Sequence, residues 1–160
     1  MFNKNETCCF TGHRDIHSNL CPSIKKALKK ALLKVYADGI RSFIAGGALG
    51  FDMICAETVL ELKETYEDIT LTLAIPCRGH DAKWRESSKD ELNRIAKLAD
   101  EVVYVSEQYE KGCMFRRNRY MVDRSCICIS YCTKSTGGSR YTVDYALSSG
   151  IEVTELSSLL

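Results

Sequence analysis

Four short segments of the chain carry residue types that bind or transform charged small molecules. Gly46-Gly47-Ala48-Leu49-Gly50-Phe51-Asp52 sets three glycines ahead of an acid. Glycines let main-chain N–H groups approach an anion closely, and a helix starting there adds partial positive charge. Asp52 would either serve the helix start, as a charge or a cap, or accept hydrogen bonds from ribose hydroxyls. The segment is neither a Walker loop nor the dinucleotide fingerprint G-x-G-x-x-G. Gly12-His13-Arg14 combines a planar cationic fork suited to phosphate with a ring that can donate a hydrogen bond or carry a proton. Gly137-Gly138-Ser139 forms a second glycine turn. Arg116-Arg117-Asn118-Arg119 sets three arginines at the start of a helical segment, where the helix dipole disfavours cations, so at least one should have an anionic partner. Trp84, the only tryptophan, stands between Lys83 and Arg85. It offers a face on which a nucleobase could stack, or an anchor that staples its loop to the body.

The elements that must position these segments follow from apolar periodicity. Strand-like runs occur at Thr7–Thr11, Ser42–Ala45, Ile69–Ile75 (ended by Pro76), Glu101–Val105, Cys126–Tyr131 and Ile151–Thr154. Between them, apolar residues recur at helical spacing. Ile24, Leu28, Ala31, Leu32 and Val35 form one such stripe against an outer face of lysines, and Gly39 ends it. Phe51, Cys55, Val59, Leu62 and Tyr66 form a second, and Leu92, Ile95, Ala96 and Leu98 mark a third. Met114–Arg124 and roughly Tyr141–Ser149 complete the set. Strands apolar on both faces and separated by helices predict a parallel sheet between two helical layers, an α/β three-layer sandwich. Right-handed crossovers make it a Rossmann-like, doubly wound, mainly parallel sheet. In such a sheet ligands bind beyond the carboxyl ends of the strands, and all four glycine- or arginine-bearing loops, including Pro76–Arg85, fall at such ends.

Residues 1–160 read as one domain, with no linker and no repeat. Lys and Arg total 22 against 21 Asp and Glu, a net charge of +1. That balance disfavours a generally nucleic-acid-coated or membrane-bound surface, although it allows a local basic groove. The longest uncharged run is too short for a bilayer, and the first residues lack the apolar core of a secretory signal. Nine cysteines, an odd number, fall partly inside apolar runs and predict reduced, buried thiols in a cytoplasmic protein. Cys126, Cys128 and Cys132 share strand parity and should face one side. No cluster has metal-ligand spacing, so no metal and no cofactor are expected.

Taken together, Cys8–Arg14, Gly46–Asp52, Arg117–Asp123 and Gly137–Ala146 resemble the YpsA-like family of the SLOG superfamily of Rossmann-like proteins, in the same order and over nearly the whole chain. The resemblance implies a nucleotide-derived ligand at the glycine loops. Gly12, Gly46, Gly47, Gly137 and Gly138 would let main-chain amides cradle phosphate, Arg14 and Arg117 would neutralise it and Asp52 would hold ribose, with His13, Gly50, Trp84, Asn118 and Ser139 as further candidate ligand contacts. Two related groups bracket the activity. Gly46–Asp52 and Gly138–Ala146 are similar to the core of DNA-processing protein A, which implies single-stranded nucleic acid as an alternative partner. The LONELY GUY phosphoribohydrolases, which cleave the N-glycosidic bond of nucleoside monophosphates, use an Arg-Lys pair and a Pro-Gly-Gly-x-Gly-Thr-x-x-Glu motif. Here Asn118 replaces the lysine beside Arg117, and Ser135–Arg140 lacks the proline and the later Gly-Thr. The glutamate position falls near Val143, with Asp144 beside it. Hydrolysis is therefore the alternative and binding, with a sensing role, the leading expectation.

Overall fold

The computed structural model describes residues 3–160; Met1 and Phe2, which begin the segment read for a secretory signal, lie outside it. Among the described residues, six strands alternate with five α-helices: β1 (Thr7–Gly12), α1 (Cys21–Ala37), β2 (Ser42–Ala45), α2 (Phe51–Thr65), β3 (Thr70–Cys77), α3 (Glu86–Leu98), β4 (Glu101–Ser106), α4 (Cys113–Asp123), β5 (Ile127–Tyr131), α5 (Gly138–Ser148) and β6 (Glu152–Glu155). The strands form one sheet in the order β4-β3-β2-β1-β5-β6, and every pairing is parallel. This is the doubly wound architecture that the apolar runs imply.

Alternation along each strand divides the core in two. Cys8 and Phe10 of β1 join Phe43, Leu71, Leu73 and Ile129 beneath α1, α2 and α3. Cys9, Ile44, Ala74 and Cys128 face the other way, against Met121 and Val122 of α4 and Ala146 of α5. Both faces are covered, which is why the strands read as unbroken apolar runs rather than as polar-apolar alternation. The expected stripe of α1 is buried throughout, and the chain turns after it at Gly39 (φ 107°).

The cysteine parity needs correction. β5 starts at Ile127, so Cys126 precedes the regular strand and packs with the α1–α3 core, while Cys128 lies in the opposite one. Alternation orders side chains only inside the pleat. Pro76 likewise does not end β3, which continues to Cys77. β2 stops opposite Leu73, so one side of β3 has no ladder there, and a residue without an N–H is tolerated. The last helix begins at Gly138, three residues ahead of the expected Tyr141. All nine cysteines are free thiols.

Close packing leaves no room for a Cβ at four glycines, Gly12, Gly46, Gly47 and Gly50, of which the first and last are the clearest. A Cβ on Gly12, the last residue of β1, would lie 2.4 Å from the ring of Phe51, which is fully buried. At Gly50, φ is 79° and a Cβ would stand 2.2 Å from the Arg14 carbonyl oxygen. By contrast, a Cβ on Gly137 or Gly138 meets nothing within 4 Å. Gly12→Ala should therefore destabilise the fold by roughly 1–3 kcal/mol through overpacking. Gly138→Ala, by the same chemical change, should alter stability much less. Urea denaturation midpoints of the two variants check this difference.

Candidate ligand-binding site

The connections leaving β1 and β5, which are neighbours in the sheet, run to opposite faces. That divergence opens a crevice above their carboxyl ends. A cleft of about 330 Å³ lies there. Its walls come from Phe10–Asp15 at the end of β1 and beyond it, Ala48 before α2 and Asp52 in its first turn, Met114, Phe115, Arg117, Asn118 and Met121 of α4, and Lys134 with Thr136–Ser139 at the entry to α5.

Of the residues singled out in the sequence, Gly12, His13, Arg14, Asp52, Arg117, Asn118, Gly137, Gly138 and Ser139 line this cleft, while Gly46, Gly47, Gly50 and Trp84 do not. Trp84 packs edge-on to His80 on the β3–α3 connection, with ring centroids 5.1 Å apart. His80 in turn donates through Nε2 to the Gly47 carbonyl at 3.0 Å. The first glycine loop is partly engaged within the molecule. The Phe51 amide, at the start of α2, donates to the His13 carbonyl (3.0 Å), and the Ala48 amide donates to Asp52 Oδ2 (3.2 Å). Asp52 is thus not the N-cap of α2, a place held by Gly50; its carboxylate instead closes the loop that precedes the helix.

The second glycine turn is arranged differently. Gly137 is the N-cap of α5 and supplies no side-chain hydrogen bond, so the first amides of an eleven-residue helix face the cleft without a side-chain cap. Arg14 and Lys134 flank it, and neither has an ion-pair partner among the described residues. Arg14 is held over the cleft by a contact from Nη2 to the Met114 sulfur at 3.6 Å. The segment before α5 is pinned from two sides. Glu155 of β6 accepts from the Ser130 hydroxyl (2.6 Å) and the Cys132 amide (3.1 Å). His13 Nε2 accepts from the Thr133 amide at 2.8 Å. Neither Glu155 nor Lys134 was singled out in the sequence, because an isolated acid on an edge strand and one lysine in a polar loop carry no spacing signal.

The arginines of α4 find their partners inside the molecule. Arg116 pairs with Glu110 at 2.8 Å and bonds the Ser106 hydroxyl. Arg119 donates to the Tyr141 hydroxyl at 2.9 Å. Arg117 is 4 % exposed and donates to the carbonyls of Gly46 and Ala74, the latter at 3.2 Å, and through Nε to Asn118 Oδ1 at 2.8 Å. Asp52, 6 % exposed, stands across Gly46 from it; a Cβ on that glycine would lie 2.6 Å from the carboxylate and 2.8 Å from the guanidinium. Burial pushes the Asp52 carboxyl up and the Arg117 guanidinium down, and each charge partly offsets the penalty of the other.

His13 accepts from a backbone amide, so its proton resides on Nδ1 and the ring is neutral. Burial lowers its pKa, the Lys134 charge lowers it further, and Glu155 partly opposes them. As pH falls, the unfolded chain takes up this proton before the folded one, so this contribution to stability is complete above about pH 6.5 and declines below it.

An all-parallel, doubly wound sheet with its cleft at the topological switch point defines a Rossmann-like α/β protein. The chain belongs to the YspA SLOG family, whose profile matches residues 8–153. Curated relatives include UPF0398 proteins of Halalkalibacterium halodurans, 29% identical over 126 residues (77% of this chain, 67% of the relative), and of Bacillus cereus strain B4264, 29% identical over 130 residues (79% and 71%). Among solved structures, DNA processing protein A from Streptococcus pneumoniae superposes with a TM-score of 0.65 at 18% identity, covering 94% of this chain and 50% of that one. The Helicobacter pylori protein of that name, described with a single-stranded DNA binding mode, gives 0.66 at 16%, covering 98% and 72%. This chain therefore spans half the length of the S. pneumoniae protein, and at these identities the likeness establishes the fold alone. Among the described residues no helix is long and apolar enough to cross a membrane, and no group of three or more His, Cys, Asp or Glu is placed to hold a metal ion.

Two outcomes follow from this geometry. Arg117→Met removes the donor to the Gly46 and Ala74 carbonyls together with a charge that offsets the buried Asp52 carboxylate, and should destabilise by about 1–3 kcal/mol. Adding Asp52→Asn should recover part of that loss, and a double-mutant cycle of denaturation midpoints measures the coupling. Separately, the fall in stability between about pH 7.5 and 5.5 should be smaller in His13→Gln than in the parent, as read from denaturation at the two pH values.

Proposed function

We propose that the protein binds a nucleotide-derived small molecule in the switch-point cleft, with its phosphate at the start of α5. The observation that carries this reading is the uncapped helix start at Gly137-Gly138-Ser139, flanked by Arg14 and Lys134, two cations with no ion-pair partner among the described residues. Exposed N–H groups and the helix dipole favour an anion there. Arg14 adds a planar donor fork and Lys134 a point charge. Across the cleft, the Asp52 carboxylate already accepts from the Ala48 amide, and its remaining acceptor capacity is available to sugar hydroxyls. Membership of the YspA SLOG family supports the reading. Arg117 commits Nη1 to main-chain carbonyls and Nε to Asn118, which leaves the Nη2 donors on the cleft wall as a further contact for the phosphate or sugar.

A second reading, hydrolysis of a nucleotide N-glycosidic bond, is favoured by one observation. Burial raises the pKa of Asp52 on the cleft wall, the direction required of a carboxyl that protonates a leaving base. Release of free base from nucleoside monophosphates incubated with the protein separates this activity from binding alone. The single-stranded DNA named for the H. pylori relative is the competing occupant of the cleft.

The binding reading is tested by thermal shift with a panel of nucleoside mono- and diphosphates, ADP-ribose and sugar phosphates. A ligand at 100 times its Kd should add roughly 2.7 kcal/mol of stability. Arg14→Ala and Lys134→Ala should each weaken that ligand about tenfold while leaving the ligand-free denaturation midpoint nearly unchanged, because charge-assisted contacts contribute about 1.5–3 kcal/mol. Asp52→Asn should weaken it at least tenfold as well. Saturating panel members that produce no shift in the parent protein would reject the reading.

A further inference from the structure

The cleft is polar at the α5 end, yet its rim on α4 presents an aromatic ring to solvent. Phe115 lines the cleft and is 40 % exposed. Tyr141, in the first turn of α5 and 39 % exposed, meets it edge to face with ring centroids 4.7 Å apart. The tyrosine is held in place by Arg119, whose Nη1 donates to its hydroxyl. The pair continues the contact between α4 and α5, with Met121 and Val122 buried beyond it, and leaves the Phe115 ring partly open to the cleft. Asn118 stands beside this rim. Arg117 Nε can only donate, so the Asn118 carbonyl must face it, which leaves the Asn118 amide N–H₂ as a donor toward the cleft.

Resting on the phosphate reading above, we propose that Phe115, backed by Tyr141, is a stacking platform for the base of a mononucleotide. Tyr141, three residues after Gly138, lies in the first turn of α5, so the ring that backs Phe115 and the proposed phosphate position belong to the same helix end. Phe115 and Gly137-Gly138-Ser139 line one cleft, as a base and a 5′-phosphate joined through one ribose require. The Asn118 amide then donates to a ring nitrogen or carbonyl of the base.

The surroundings favour one base over a strand. The next ring along α5, Tyr145, lies nearly parallel to Tyr141 at 6.5 Å and would extend the platform. Its hydroxyl, however, donates to Asp123 at 2.7 Å, and Asp144 is paired with Arg140 at 2.9 Å on the same helix. A polynucleotide leaving the cleft along these rings would meet an even mixture of charge, Asp123 and Asp144 beside Arg119 and Arg140, with Arg140 already paired to Asp144. Single-strand grooves pair their aromatic faces with cations along the backbone, not with acids.

Calorimetric titration with adenosine 5′-monophosphate, ribose 5-phosphate and a ten-residue oligothymidylate tests the assignment on the parent protein, Phe115→Ala and Phe115→Tyr. The parent should bind the nucleotide more tightly than the sugar phosphate. Phe115→Ala should weaken the nucleotide about tenfold and leave ribose 5-phosphate unchanged, while Phe115→Tyr keeps both within about twofold. Equal losses on both ligands, or no loss on the nucleotide, overturn the platform while the phosphate site stands. An oligonucleotide that binds tighter than the mononucleotide, and weakens with salt, overturns the single-base assignment. A parent protein that binds neither small molecule overturns the phosphate reading and the platform with it.

Discussion

The buried guanidinium of Arg117 is the constraint on which the rest of the cleft depends. It reaches from α4 across the carboxyl ends of two strands, bonding the main chain just after β2 at Gly46 and within β3 at Ala74, and stands across Gly46 from Asp52 of α2. A cation so placed is stable only with its donors satisfied and a counter-charge nearby. Both conditions bind elements from opposite faces of the sheet to one another. α4 cannot shift without breaking carbonyl contacts, α2 cannot shift without leaving a charge unpaired, and Asn118 is oriented as a by-product. The cleft wall is therefore rigid on this side before any ligand arrives, which lowers the ordering cost of binding.

With that wall fixed, the two glycine turns divide their work. Gly46–Gly50 is drawn into the body: His13 takes the first amide of α2, Asp52 takes that of Ala48, and His80 holds the Gly47 carbonyl. Its glycines exist because Ile75, Arg14 and the Asp52–Arg117 pair leave no room for a Cβ. Gly137-Gly138 meets no such neighbours, and its amides remain at the surface. The same residue type thus answers to packing in one turn and to open solvent in the other.

Fold and function separate cleanly in this protein. Superposition on DNA processing protein A at 16–18% identity reports a shared sheet and crossover pattern. Such a sheet creates a switch-point crevice in any doubly wound protein, and what enters it is decided by the side chains that line it. Here the lining joins an amide- and cation-rich end to a buried carboxylate and an aromatic rim, a combination suited to a small anionic molecule with a sugar and a base.

Much of this was written in the local sequence. Helix and strand periods, the alternation of the two and the glycines at strand ends determined a parallel doubly wound sheet and the edge at which chemistry would gather, because burial of an apolar face depends on spacing within one element. The cleft residues from Gly12 to Arg14 and from Gly137 to Ser139 were legible for the same reason: each directly follows or opens an element. Tertiary structure alone decided which way the ambiguous side chains point. Arg117 reads as a cation for phosphate and turns inward, since α4 packs that face on β3; Trp84 reads equally as a stacking ring or a staple for its loop and packs on His80; Phe115 and Tyr141, twenty-six positions apart, become one surface only where α4 and α5 lie side by side. Spacing along a chain specifies the faces of an element, but the partner each face meets is set by how the elements pack.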